Sequence, residues 1–212
     1  MTTYAFQGPN RGADRAVLLA HGAGTDCTAP ALTVVADALE AAGVASLRFN
    51  YPYRDEGRGR PDRPPVLFDA TRAAIAELSD RTGLPPTRLV VGGRSMGGRY
   101  CSMVVGAEVD PVPVLGLVLL GYPLHAAGKP EKIRDEHFPR ITVPTLFVSG
   151  TRDSLASMAG LEASAGKIVG PVSWCRLETA DHGFKPLKSS GRTLADDLAT
   201  AAAATVDFVL AR

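Results

Sequence analysis

Long apolar runs are missing from this chain: no stretch approaches the roughly 18 residues that crossing a bilayer requires. The start, Met1-Thr2-Thr3-Tyr4-Ala5-Phe6, has neither the basic residues nor the apolar core of a secretory signal, so a soluble, cytoplasmic protein without a membrane partner is expected. Cysteine is scarce. Cys27, Cys101 and Cys175 are an odd set without C-x-x-C spacing, which argues against a disulfide framework and a zinc cage and leaves them reduced and structural. No His-Glu-x-x-His or other metal spacing occurs, and neither a metal nor a cofactor is expected. Charge of one sign is also lacking: 23 Lys+Arg against 22 Asp+Glu give a net charge of +1, so no overall field favours nucleic acid or an anionic membrane. A small-molecule partner fits better. Gly92, Gly93, Gly97 and Gly98 form no Gly-x-Gly-x-x-Gly register, and no lysine follows them as a P-loop requires, which disfavours a nucleotide site.

What is present is an alternation of short apolar runs with longer amphipathic or alanine-rich segments, the order of an α/β protein with a mostly parallel sheet and helices on both faces. Six strands are predicted, at Ala16-Ala20, Val44-Arg48, Arg88-Val91, Val114-Leu120, Val143-Ser149 and Val172-Cys175, in a sheet of about six or seven. Helices are predicted at Ala31-Ala42, Val66-Arg81, Met96-Gly106, Leu155-Gly166 and Thr193-Leu210. With 212 residues the chain is expected to form a single domain over 1–212. The clearest loop is Tyr51-Pro65, with four prolines and with Arg54, Arg58, Arg60 and Arg63, which are read as a solvated cluster or as contacts to an anionic substrate. Residues 121 to 142 have room for one short helix and none for a large cap domain.

The chemistry concentrates at Gly93-Arg94-Ser95-Met96-Gly97, after the apolar run Leu89-Val90-Val91 and before a helix. A Gly-x-Ser-x-Gly pentapeptide in that setting predicts a nucleophile elbow: the backbone reverses at Ser95, its hydroxyl is presented at the tip, and small neighbours are required. The Met96 N–H then starts the helix and faces a developing oxyanion. A serine nucleophile needs an imidazole base and an acid to orient it. The strand ending at Ser149 runs into Gly150-Thr151-Arg152-Asp153, and the last loop before the final helix reads Ala180-Asp181-His182-Gly183. Ser95, Asp153 and His182 follow one another in the order Ser, acid, His of the α/β-hydrolase fold. The loop His21-Gly22-Ala23-Gly24 is expected to add a second oxyanion donor, the Ala23 N–H, with Gly24 the alternative and His21 structural. Tyr51 and Tyr122 each follow a strand that ends near the site and are read either as lining a substrate pocket with Gly24 or as packed aromatics. Asp181 is expected to hold its loop in an Asx-type turn, and His125 and His137 are read as ordinary loop residues. Of Arg94 and Arg99, which flank the elbow, one is expected to pack its stem under a loop while its charge meets a carboxylate.

Taken together, His21-Gly22-Ala23-Gly24, Arg48-Phe49-Asn50-Tyr51-Pro52-Tyr53, the Gly93-to-Arg99 elbow, Gly121-Tyr122-Pro123-Leu124-His125, Gly150-Thr151-Arg152-Asp153 and Asp181-His182 resemble the small bacterial α/β-hydrolases distantly related to dienelactone hydrolase. They are also similar to the hydrolase-like domain in a regulatory subunit of the non-specific-lethal histone acetyltransferase complex. The resemblance runs from about residue 15 to the C-terminus and implies Ser95 as nucleophile, Asp153 as acid and His182 as base. Dienelactone hydrolase itself uses a cysteine where this chain has Ser95, which weakens any transfer of its substrate. The expected function is a serine hydrolase, a carboxylesterase or dienelactone-hydrolase-like enzyme, that cleaves an ester, thioester or related acyl bond of a small molecule as a monomer or small homo-oligomer. The alternatives are a non-catalytic interaction module with a hydrolase-like fold and an acyltransferase or perhydrolase using the same three residues.

Overall fold

Period-two alternation in the apolar runs decides how the sheet is covered. In the computed structural model, which describes residues 2–212, Val17 and Leu19 of β2 (Ala16–Ala20) face one helical layer and Leu18 faces the other. The same division holds for β4 (Leu89–Arg94), β5 (Gly116–Leu120) and β6 (Thr145–Gly150), so the central strands are buried on both faces and their sequences are mostly apolar. With β1 (Tyr4–Gln7), β3 (Ala45–Phe49) and β7 (Val172–Leu177) they form a seven-stranded sheet of order β1-β3-β2-β4-β5-β6-β7. All neighbours are parallel except β1, which runs antiparallel to β3.

On one face lie α1 (Pro30–Ala41) and α6 (Leu194–Leu210); on the other lie α3 (Pro64–Thr82), α4 (Met96–Val105) and α5 (Met158–Ala165). In α1 the buried Leu32, Val35, Ala36 and Leu39 recur at helical spacing, and each fully buried leucine contributes about 2 kcal/mol. Thr193 caps α6 with a capping box: its hydroxyl accepts from the Asp196 N–H while the Asp196 carboxylate accepts from the Thr193 N–H. Among the described residues no helix is long and apolar enough to cross a membrane. Cys27 and Cys101 are buried and unbridged, and burial pushes the Cys101 thiol up to about 12.

Several boundaries differ from the sequence expectation for identifiable reasons. β1 was not expected; it is a short, half-buried edge strand, and the Arg81 guanidinium lies 5.8 Å from both the Tyr4 and the Phe6 ring centroids. The Tyr51-Pro65 segment is only partly a loop, because it holds the one-turn helix α2 (Pro52–Asp55) and its last prolines begin α3, where a missing N–H costs nothing. α5 begins at Met158 rather than Leu155, since Ser157 takes the cap position and its hydroxyl accepts from the Gly160 N–H. Residues 121–142 contain a single 3-10 turn, Phe138–Arg140, and no large cap.

His137, at the start of that turn, is buried and not an ordinary loop residue. The Ser102 hydroxyl donates to the Arg99 carbonyl, so the His137 ring donates from Nε2 to Ser102 Oγ, 2.8 Å away. Burial, reinforced by the charges of Arg99 and Arg140, pushes its imidazole from 6.5 down to about 4, while Asp135 pulls the other way. Between those values the unfolded chain takes up a proton that the folded chain refuses. The stability this creates is full above pH 6.5 and is lost as the pH falls to 4, a span of roughly 3 kcal/mol. Denaturant titrations from pH 7 to pH 4 are expected to show this decline and a shallower one in His137→Gln, with buried His21 contributing a remaining slope of the same sign.

Candidate active site

The turn from β4 into α4 places Ser95 in a conformation that side chains rarely adopt, φ 50° and ψ −114°, as the Gly-x-Ser-x-Gly pattern predicts. Its neighbours are glycine because the backbone of β2 presses against them. A Cβ on Gly93 would stand 2.1 Å, and one on Gly97 2.3 Å, from the Ala20 carbonyl oxygen. The Ser95 N–H donates to the Leu120 carbonyl at 2.9 Å, which ties the elbow to the end of β5.

Three side chains distant in sequence meet at this edge of the sheet. Ser95 Oγ lies 3.0 Å from His182 Nε2, and His182 Nδ1 lies 2.7 Å from Asp153 Oδ2. A carboxylate accepts and does not donate, so Nδ1 carries the ring proton, Nε2 presents its lone pair, and the Ser95 hydroxyl donates to it. The Asp153 side chain is fully buried, and its other oxygen accepts from the Leu155 N–H at 2.7 Å. The acid is therefore held from two sides. Gly150, where a Cβ would stand 2.4 Å from the Ala180 carbonyl oxygen, lets the Asp153 turn and the His182 loop pack together.

Two further devices hold the His182 loop. Asp181 Oδ1 accepts from the Gly183 and Lys185 N–H groups at 2.8 and 3.0 Å, the Asx-type turn expected from the sequence. Arg94 runs beneath the elbow and donates to the carbonyls of Leu120, Gly121 and His182, its guanidinium 4.6 Å from the Phe184 ring centroid. Of the two arginines flanking the elbow, Arg94 is the one that packs under a loop. It binds carbonyls where a carboxylate was expected, because all three oxygens end strands or turns at the same spot. Burial pushes its guanidinium down to about 10 against the pull of Asp153 and Asp181.

The loop after β2 approaches from the opposite side. The Gly22 carbonyl receives His21 Nδ1–H at 2.7 Å, the Thr25 N–H at 3.2 Å and the Thr25 hydroxyl at 3.3 Å. In a trans peptide the N–H of the same unit, that of Ala23, must point the other way. Among the described residues, neither the Ala23 nor the Met96 N–H donates to a protein acceptor, and both residues line the cleft beside Ser95. His21 Nε2 accepts from the Tyr51 N–H at 3.0 Å, which fixes the tautomer, and burial pushes its imidazole down and keeps it neutral.

The cleft has a volume of about 370 Å³. Tyr51 and Tyr122, for which pocket lining was one reading, are packed aromatics. Both are fully buried, with the Tyr51 hydroxyl bonded to Thr71 Oγ1 at 3.0 Å and the Tyr122 hydroxyl donating to the Arg134 carbonyl. Each side chain turns under the sheet end into the α3–α4 layer, where a ring buries more area than at the rim. Gly24 is exposed and lies outside the cleft lining. In their place the lining includes His125, Arg99, Arg134, Tyr100 and Leu155. Arg99 was legible in principle, one helical turn beyond Ser95. Tyr53, which the sequence reading passed over, donates its hydroxyl to the Ala23 carbonyl at 2.8 Å.

Comparison with known proteins agrees with this architecture. The chain superimposes on Est1E from Butyrivibrio proteoclasticus with a TM-score of 0.77 at 14% identity, covering 99% of this chain and 94% of that one. Dienelactone hydrolase from Anabaena variabilis gives a TM-score of 0.71 at 20% identity, covering 95% of this chain and 89% of that one. An alpha-beta serine hydrolase homologue from Coxiella burnetii gives 0.71 at 18%, covering 95% and 90%. At these identities the shared property is the fold. The model of the alpha/beta hydrolase domain matches residues 13–210, and with nearly the whole chain so matched, this protein belongs to the alpha/beta hydrolase family.

Proposed function

We propose that the protein is a serine hydrolase that cleaves an ester, thioester or related acyl bond of a small molecule. The observation carrying this reading is the unbroken chain of hydrogen bonds from Ser95 Oγ through His182 to Asp153, opening into the cleft. As His182 Nε2 takes the hydroxyl proton, Ser95 Oγ attacks the substrate carbonyl carbon and the carbonyl oxygen gains the negative charge. The Ala23 and Met96 amides receive that charge, each worth about 3 kcal/mol in comparable sites. Asp153 holds the imidazolium while His182 returns the proton to the leaving group. A water molecule, deprotonated by the same ring, then releases the acyl group from Ser95.

Esterases among the solved structures of the same fold, such as that from Rhodothermus marinus, support the choice of an ester bond. A fluorophosphonate probe is expected to label the folded wild-type protein and not Ser95→Ala, and 4-nitrophenyl ester turnover is expected to fall by about three orders of magnitude or more in that variant. Folded wild-type protein that neither labels nor turns over ester would favour the non-catalytic module instead. His21 acts at one remove, by aiming the Ala23 amide. His21→Gln is therefore expected to lower kcat by roughly ten- to a hundredfold while KM changes little, a split read by steady-state kinetics on the same ester.

A further inference from the structure

Two guanidinium groups line the cleft beside Ser95 without a carboxylate of their own. Arg99 stands one helical turn along α4 from Ser95, its N–H donating to the Ser95 carbonyl at 3.0 Å, and Arg134 comes from the crossover segment after β5. Neither forms an ion pair among the described residues, whereas Arg58, Arg81, Arg176 and Arg192 elsewhere each hold an acidic partner. The two charges feel one another: burial and then the Arg99 charge push the Arg134 guanidinium down, against a smaller pull from Glu136. The one carboxylate in the cleft lining does not relieve them. Asp62 Oδ1 already accepts from Arg58 at 2.7 Å and Oδ2 from the Tyr53 N–H at 2.9 Å.

Leaving two like charges without a counter-ion in a half-enclosed cleft is unfavourable unless the space is built for something that completes them. Resting on the hydrolase reading above, we infer that the substrate carries a compact anionic group, a carboxylate or a phosphate, which Arg99 and Arg134 bind while its acyl carbonyl sits at Ser95. The guanidinium fork suits either anion, donating to two oxygens in one plane, and a cleft of about 370 Å³ holds a small molecule with both groups. Arg99 ties this recognition to the chemistry, because it rises from the same turn of helix that carries Ser95.

The test compares the mono-4-nitrophenyl ester of adipic acid with 4-nitrophenyl hexanoate, a pair of equal chain length differing by the distal carboxylate, with spontaneous hydrolysis subtracted. The kcat/KM ratio of anionic to neutral ester is expected to be about tenfold or more at low salt and to fall as salt is added. It is expected to drop towards one in Arg99→Gln and in Arg134→Gln, and Arg134→Lys is expected to retain part of it. Independently of turnover, the Ser95→Ala protein is titrated calorimetrically with adipate, with butyl phosphate and with neutral adipamide. Binding of adipate or butyl phosphate, but not adipamide, supports the site and tells a carboxylate from a phosphate preference. A wild-type ratio near one together with no anion binding to Ser95→Ala overturns the inference, and neither measurement depends on an arginine variant folding. Ester turnover with no anion preference leaves the hydrolase reading standing and removes this one. Anion binding without any turnover or probe labelling does the reverse.

Discussion

The contact between the end of β2 and the turn from β4 into α4 governs the rest of the site. Ala20 pairs with Gly93 in the parallel register, and its carbonyl oxygen sits where a methyl group on either Gly93 or Gly97 would have to go. Interiors do not yield by the ångström such a group would need. That closeness brings the His21-to-Gly24 loop within reach of Ser95, so that a Cβ on Gly22 would stand 3.7 Å from the serine's own Cβ. Two unpartnered amides, from Ala23 and Met96, thereby face the same small volume. Separating the two strands by the width of a side chain would leave Ser95 on its turn with one of those donors out of range.

Positioning around that contact is carried by backbone carbonyls rather than by pairs of opposite charges. Arg94 gathers the oxygens of Leu120, Gly121 and His182, and the Gly22 oxygen gathers donors from His21 and Thr25. Carbonyl oxygens at strand ends are fixed by the sheet itself, so a side chain bonded to them inherits the rigidity of the fold. A surface ion pair has no such anchor and is worth little. Asp153 follows the same logic, with one oxygen on the Leu155 amide and the other on His182.

These relations were unequally legible in the sequence. Ser95, Asp153 and His182 could be brought together on paper because each closes a strand or precedes a helix in a parallel α/β order, and that order forces strand ends onto one edge. Proximity to the same edge misled for Tyr51 and Tyr122. A residue just past a strand lies near the rim, but whether its ring points into the cleft or under the sheet depends on the following turn, and both rings turn under. β1 escaped notice because four half-buried residues at an edge leave a weak pattern. The meeting of Arg99 with Arg134 had no local signature, since it requires the irregular 121–142 segment to fold back over α4, held there by the Tyr122 hydroxyl on the Arg134 carbonyl.

Access to water divides the histidines by role. His21 and His137 are sealed in, burial holds each imidazole neutral, and each serves as a strut with one fixed tautomer: His21 between the Gly22 carbonyl and the Tyr51 amide, His137 against Ser102. At His21 a second ring proton would turn the hydrogen bond that Nε2 accepts from the Tyr51 amide into a repulsion. The His182 side chain keeps a quarter of its surface exposed and has a carboxylate rather than a carbonyl behind Nδ1.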